Sequence, residues 1–151
     1  MRSYLVLRLL PWCIAVGAMT SSPAGLADEL IGSSSLLCHG LSAARCELET
    51  GMCSVKSPWQ LNLPDFLKVD LDAKFTETTA ASGQQRRTPI RTVERENGLI
   101  VLQGIEGERA FSWVITEATG EGAMTMSSPA AGLTVFTVCT PIEKLSSGTS
   151  E

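Results

Sequence analysis

Between Thr88 and Pro141 no connection is long enough to carry the chain back parallel to itself, and this constrains the C-terminal part of the molecule more than any other feature. Runs of β-forming residues occur at Ile90–Arg95, Leu99–Gly104, Ala110–Thr116, Met124–Ser127 and Leu133–Cys139, each separated from the next by a few residues that include Gly or Pro. A parallel return needs a crossover of about a dozen residues or more, so these runs are predicted to be antiparallel neighbours. Asn97-Gly98 marks one hairpin directly, because both residues tolerate the positive φ that a type I′ turn requires.

Upstream, Leu67, Val69, Leu71, Ala73 and Phe75 alternate with Lys68, Asp70, Asp72, Lys74 and Thr76. Strict alternation predicts one strand over 67–76 with a buried and a wet face. Trp59–Leu63 alternates more briefly and is predicted to be a short strand ended by Pro64. Glu77–Arg87, rich in Thr, Ala, Ser, Gly and Gln, reads as a mobile loop. Leu99–Leu102 is apolar at every position, as in a strand covered on both sides or near a sheet centre. Phe111, Trp113 and Ile115 share a face and should form an aromatic core with Phe75 and Phe136. The expected fold is all-β: a single antiparallel meander of six to eight strands that closes into a small barrel or a strongly twisted sheet. An open meander would leave exposed edges and one large apolar face uncovered.

The first 27 residues lie outside that domain. Arg2 and Arg8 flank an apolar stretch from Tyr4 to Met19, and small residues follow through Ala27, the order of a secretory signal peptide. The apolar run is shorter than the ~20 residues a bilayer span needs, and it contains Arg8 and Pro11. Cleavage after Ala18 or after Ala27 fits the small-residue rule, and Ala27 is preferred because Pro23 breaks the apolar helix just upstream. Bulky Trp12 stands before Cys13 where lipid attachment would need a small residue, so no membrane insertion is expected once the leader is removed. Residues 28–57 read as a loose N-terminal arm and a cysteine-rich cap, 58–141 as the β domain, and 142–151 as a disordered tail. The expected location is periplasmic or secreted.

Removing the leader takes two of the twelve basic residues and none of the sixteen acidic ones. The remaining balance near −6 gives no reason to seek nucleic acid or an anionic membrane. It also leaves four cysteines, Cys38, Cys46, Cys53 and Cys139, an even number that in an exported chain points to two disulfides. Four cysteines allow three pairings. The preferred one joins Cys46 to Cys53 around Thr50-Gly51 and Cys38 to Cys139 between the start of the domain and its last strand.

Little else in the chain carries recognisable chemistry. Cys38, His39, Cys46 and Cys53 lack the two-to-four-residue ligand spacing of a structural zinc site. His39 is the single histidine. No nucleophile elbow, phosphate loop, metalloprotease helix or haem-attachment motif is present. Asp70 and Asp72 stand beside Lys68 and Lys74, as on a solvated mixed-charge face. Glu106 and Glu108 flank a hairpin Gly and read as turn residues. Met124 and Met126 read as adaptable core filler rather than metal ligands. Arg87, Arg91 and Arg95 recur at four-residue steps and could line one strand face as a basic binding stripe. No cofactor and no metal are expected.

The sequence from Trp59 to Pro141, with Leu-Asn-Leu-Pro-Asp at 61–65, Val69-Asp70-Leu71, Leu102-Gln103-Gly104, Phe111-Ser112-Trp113 and Val135–Pro141, resembles small uncharacterised exported proteins of Gram-negative bacteria. The resemblance implies a periplasmic, mostly β protein and brings no catalytic residue with it. In architecture alone the expected fold is similar to the small disulfide-tied lysozyme inhibitors of the periplasm, whose inhibitory loop has no counterpart here. The expected function is therefore that of a non-catalytic binding or accessory protein for an unknown protein or small ligand. The alternative is an inhibitor of a secreted hydrolase, acting through a hairpin such as Gly104–Arg109 or Ser128–Gly132. A small enzyme using carboxylates is the third reading.

Overall fold

The computed structural model describes residues 30–142, so the expected leader and most of the expected tail lie outside the described residues. Nine strands form: β1 (Ser35–Glu47), β2 (Cys53–Lys56), β3 (Phe66–Asp70), β4 (Phe75–Thr78), β5 (Arg87–Glu96), β6 (Leu99–Glu106), β7 (Arg109–Thr116), β8 (Glu121–Ser127) and β9 (Ala131–Pro141). Each pairs antiparallel with its neighbours, and β1 pairs with β9 over eleven positions, which closes eight strands into a barrel and leaves β2 as an extra strand outside it. Closure removes the edges that an open meander would expose.

The five C-terminal strands appear where the turn signals place them. Asn97 and Gly98 both adopt positive φ at the β5–β6 hairpin. Gly120 ends the β7–β8 turn at φ 71°, where an added Cβ would lie 2.1 Å from the Cys139 carbonyl oxygen, so no other residue fits the turn.

Four upstream expectations give way. The alternation over 67–76 is two strands, not one, with a turn at Leu71–Lys74 between β3 and β4. Asp70 Oδ1 accepts from the Ala73 N–H at 2.7 Å and Lys74 takes φ 54°, so a short acceptor side chain and a tolerated left-handed residue turn a chain whose polarity alone reads as continuous. Trp59–Leu63 is not a strand: Pro58–Leu61 is a turn of 3-10 helix, entered through a Ser57 and Gln60 capping box that leaves Trp59 largely exposed. The cysteine-rich segment is no separate cap, since β1 runs through it and forms the seam of the barrel. The N-terminal arm is likewise not loose from Leu30 onward. Leu30 is fully buried, and its N–H donates to the Glu117 carbonyl at 2.9 Å.

The interior is filled by side chains, as eight strands dictate. Leu36, Val69, Ile100, Leu102, Trp113 and Ile115 are almost wholly buried, and the Trp113 indole N–H donates to Thr137 Oγ1 at 3.1 Å. Phe75 and Phe136 do not join them. Val135, Thr137 and Cys139 take the inward parity of β9, which turns Phe136 out to 49% exposure, while Phe75 lies outside beneath the Arg87 guanidinium. Leu99 and Val101 show the outer face of β6 to be only partly covered, so its unbroken apolar run reflects a central position rather than two buried faces.

Both expected disulfides are present. Cys38–Cys139 joins directly opposed residues across the β1–β9 seam, and Cys46–Cys53 joins opposed residues of β1 and β2. Beyond His39, β1 leaves β3 and pairs with β2, building a flap that also holds the β8–β9 turn through a Leu48 N–H to Ala130 carbonyl bond.

At the opposite end, Arg95 donates to the Leu30 and Ser33 carbonyls and to Glu117 Oε1, fastening the N-terminal segment across the barrel. Arg95→Ala is expected to cost about 1–3 kcal/mol, the range for hydrogen bonds from a charged donor. Amide hydrogen exchange should then accelerate selectively at Leu30 and Ser33. Unchanged protection there would show that Leu30 burial alone holds the segment.

Candidate functional site

The strands that build the interior carry their alternation one step past the apolar core at the end bearing the flap. On β6 the inward positions run Ile100, Leu102, Gly104 and then Glu106; on β7 they run Ile115, Trp113, Phe111 and then Arg109. Arg86, just before β5, holds the same inward parity as Thr88 and Ile90. Three charged side chains thus converge on the mouth of the barrel, where Arg86 and Arg109 flank Glu106.

Below them is a cavity of about 50 Å³. Its floor is apolar, made by Leu63, Leu67, Phe111, Met124 and Met126, and Thr76 and Thr88 contribute hydroxyl-bearing walls. Phe111 reaches this position because Gly104 has no side chain: a Cβ there would fall 2.5 Å from the phenyl ring and 2.8 Å from the Pro89 carbonyl oxygen. The two methionines supply a soft, adaptable surface.

The root of Arg86 is fixed by Thr78. The Thr78 N–H donates to the Arg86 carbonyl, the Arg86 N–H donates to Thr78 Oγ1, both at 3.0 Å, and that hydroxyl in turn donates to the Gln84 carbonyl. Further out the guanidinium is less well served. Glu106 stands 3.8 Å from Arg86 and 3.7 Å from Arg109, ion-pair distances beyond the ~2.7–3.2 Å of a hydrogen bond. Arg86 Nε is buried with no hydrogen-bond partner among the described residues. Partly exposed pairs of this kind contribute about 0–1 kcal/mol to stability, so their placement has little structural return.

Comparison with known proteins gives no family model, no curated protein and no solved structure that matches this chain. The site must be read from its own chemistry.

The arginine stripe does not exist as one surface. Pairing of β5 with β6 shifts register between Ile90 and Thr92, so Arg91 occupies a bulge and the strand's faces exchange there. Arg87 points outward and lies 3.5 Å over the Phe75 ring, whereas Arg95 sits with Val93 on the inward parity at the far end, occupied by the N-terminal segment. Arg91 is left exposed alone. A bulge is invisible to a count of alternate positions, which is why periodicity joined residues that the structure separates.

Other candidates are similarly placed. The four cysteines are bonded in pairs and offer no thiolate. His39 Nδ1 donates to the Asp65 carbonyl at 2.9 Å, and its ring stacks on Phe66. Glu106 turns into the mouth while Glu108 stays exposed, so the two do not form a carboxylate pair. Among the described residues no group of three or more His, Cys, Asp or Glu is gathered to hold a metal, and no helix is long and apolar enough to cross a membrane. A wider depression of about 660 Å³ opens at the other end beside Leu71 and Val93, but its guanidinium, Arg95, is already held by three acceptors.

Sequence reading missed Arg86, Thr78 and Arg109 as site residues, and it took Glu106 for a turn residue. The available signal was parity. Glu106 and Arg109 continue the buried-face alternation of their strands into charge, and charged residues on core parity at a barrel end face the lumen.

Proposed function

We propose that this is an exported, non-catalytic binding protein of the bacterial periplasm whose ligand is a small molecule taken at the barrel mouth. The observation that carries this reading is the convergence of Arg86, Glu106 and Arg109 over an apolar floor, at the end of a barrel whose core side chains are buried. A small concave apolar site with a few aimed polar groups is the general form of a ligand pocket. The leader-like N-terminus and the two disulfides support export.

A thermal-shift screen of small soluble fragments tests it, because a ligand that binds only the folded state raises the melting temperature by mass action. Fragments that raise the melting temperature of the native protein should lose most of that effect in the Arg86→Gln/Arg109→Gln variant. Shifts of equal size in both proteins would place binding elsewhere.

One observation favours a protein partner as the second reading. The flap rises at the same end as the mouth, pinned by Cys46–Cys53, and exposes Leu48, Met52 and Val55 beside the outer edge of β2. Such an edge can accept a strand from another chain.

A further inference from the structure

We propose that the mouth is a receptor for a carboxylate carried on a short, unbranched apolar chain; this rests on the reading that the mouth is the binding site. Two guanidiniums and one carboxylate give the mouth a net charge of about +1 within a chain whose overall balance is acidic. An anion is therefore the favoured guest. Each guanidinium is a planar fork whose N–H groups match a carboxylate in pairs. Glu106 does not fill these forks, since it lies at 3.8 and 3.7 Å, and Arg86 Nε–H remains buried and unpartnered. An unpaired buried donor is costly to the free protein, and an incoming carboxylate oxygen relieves that cost. Thr78 holds the backbone of Arg86 in place beforehand, so little ordering is needed on binding.

The floor decides which anion. Leu67, Phe111 and Met126 line the cavity directly beneath the charges, so the group attached to the carboxylate must be apolar. Phosphate and sulfate, polar on every side, would leave that floor unused. A water needs about 10–15 Å³, so the 50 Å³ beneath the charges has room for a short chain of a few carbons and little more. A free short-chain fatty acid presents this chemistry, whereas the C-terminal carboxylate of a peptide carries a polar amide on its α carbon and does not.

Isothermal titration of the purified protein with butyrate, phosphate and butylamine tests the class. Butyrate is expected to bind, with phosphate and butylamine failing to compete. Arg86→Gln/Arg109→Gln should weaken butyrate at least about tenfold, the scale of one charge-assisted hydrogen bond. Glu106→Gln, which removes the internal competitor, should bind it roughly threefold more tightly, a surface-pair effect. Tighter binding of a short peptide than of butyrate, abolished by C-terminal amidation, would overturn the unbranched apolar chain and assign the mouth to a chain terminus instead. Phosphate binding as tightly as butyrate, or butyrate binding unchanged in the double variant, would overturn the proposal. If fragments without a carboxylate bind at the mouth and butyrate does not, the ligand class is wrong and the mouth stands as the site. If nothing binds there, both readings fall.

Discussion

Trp113→Ala is expected to destabilise the protein by about 3–5 kcal/mol, the cost of emptying a large aromatic site in a packed core. Trp113 is fully buried in β7, opposite Leu102 on one side and Met124 on the other, so its loss opens a void between two ladders that cannot both collapse into it. The substitution also strips Thr137 of the indole donor at 3.1 Å. Trp113→Phe separates the two effects. It keeps most of the ring and should cost about 1–3 kcal/mol, chiefly the unpaired Thr137 hydroxyl and the lost bond. Denaturant midpoints at constant slope measure both. A Trp113→Ala cost under about 1 kcal/mol would mean that the interior is not the filled barrel described here.

Removing the seam disulfide comes next in size. Cys38 and Cys139 are 101 residues apart, and closing so long a loop restricts the unfolded chain by about 4–5 kcal/mol in the chain-entropy account. The bond also lies on the pair of strands whose union makes the barrel a barrel, so its loss permits β1 and β9 to part. Cys38→Ala/Cys139→Ala should therefore lower stability more than Cys46→Ala/Cys53→Ala, whose seven-residue separation contributes about 2–3 kcal/mol. Urea melts of the two double variants compare them directly. An equal or reversed ranking would show that the flap, not the seam, limits unfolding.

The parts of this fold that could be read from sequence are those where a local signal and the tertiary demand coincide. Asn97-Gly98 turns because both residues accept positive φ, and the barrel needs a tight hairpin at that point. Cysteine parity and a leader-like N-terminal sequence point to two bonds, and the chosen pairs prove to be directly opposed on neighbouring strands. Where the signals diverge, the reading fails. Asp70–Lys74 continues a perfect alternation of polarity, yet Asp70 folds back on Ala73 and breaks the strand. At β1, Ser, Gly, Ala and Cys give almost no hydrophobic period, although pairing with three other strands holds thirteen residues extended. Arg91 illustrates the same limit from the side of function, since one bulged residue undoes the spacing that made a stripe. The mouth was legible in principle, through Glu106 and Arg109 on core parity, but Arg86 reaches it only because a loop of no evident period returns to Thr78.

If small ligands are taken at the mouth, as proposed, the methionine methyl groups report on it from both sides. Met124 and Met126 line the cavity, whereas Met52 is 69% exposed on the flap. In a ¹³C-methyl spectrum of methionine-labelled protein, titration with a binding fragment should move the Met124 and Met126 signals together and leave Met52 in place. Movement of Met52 alone, with the cavity methyls unchanged at saturating ligand, would contradict the mouth and transfer binding to the flap.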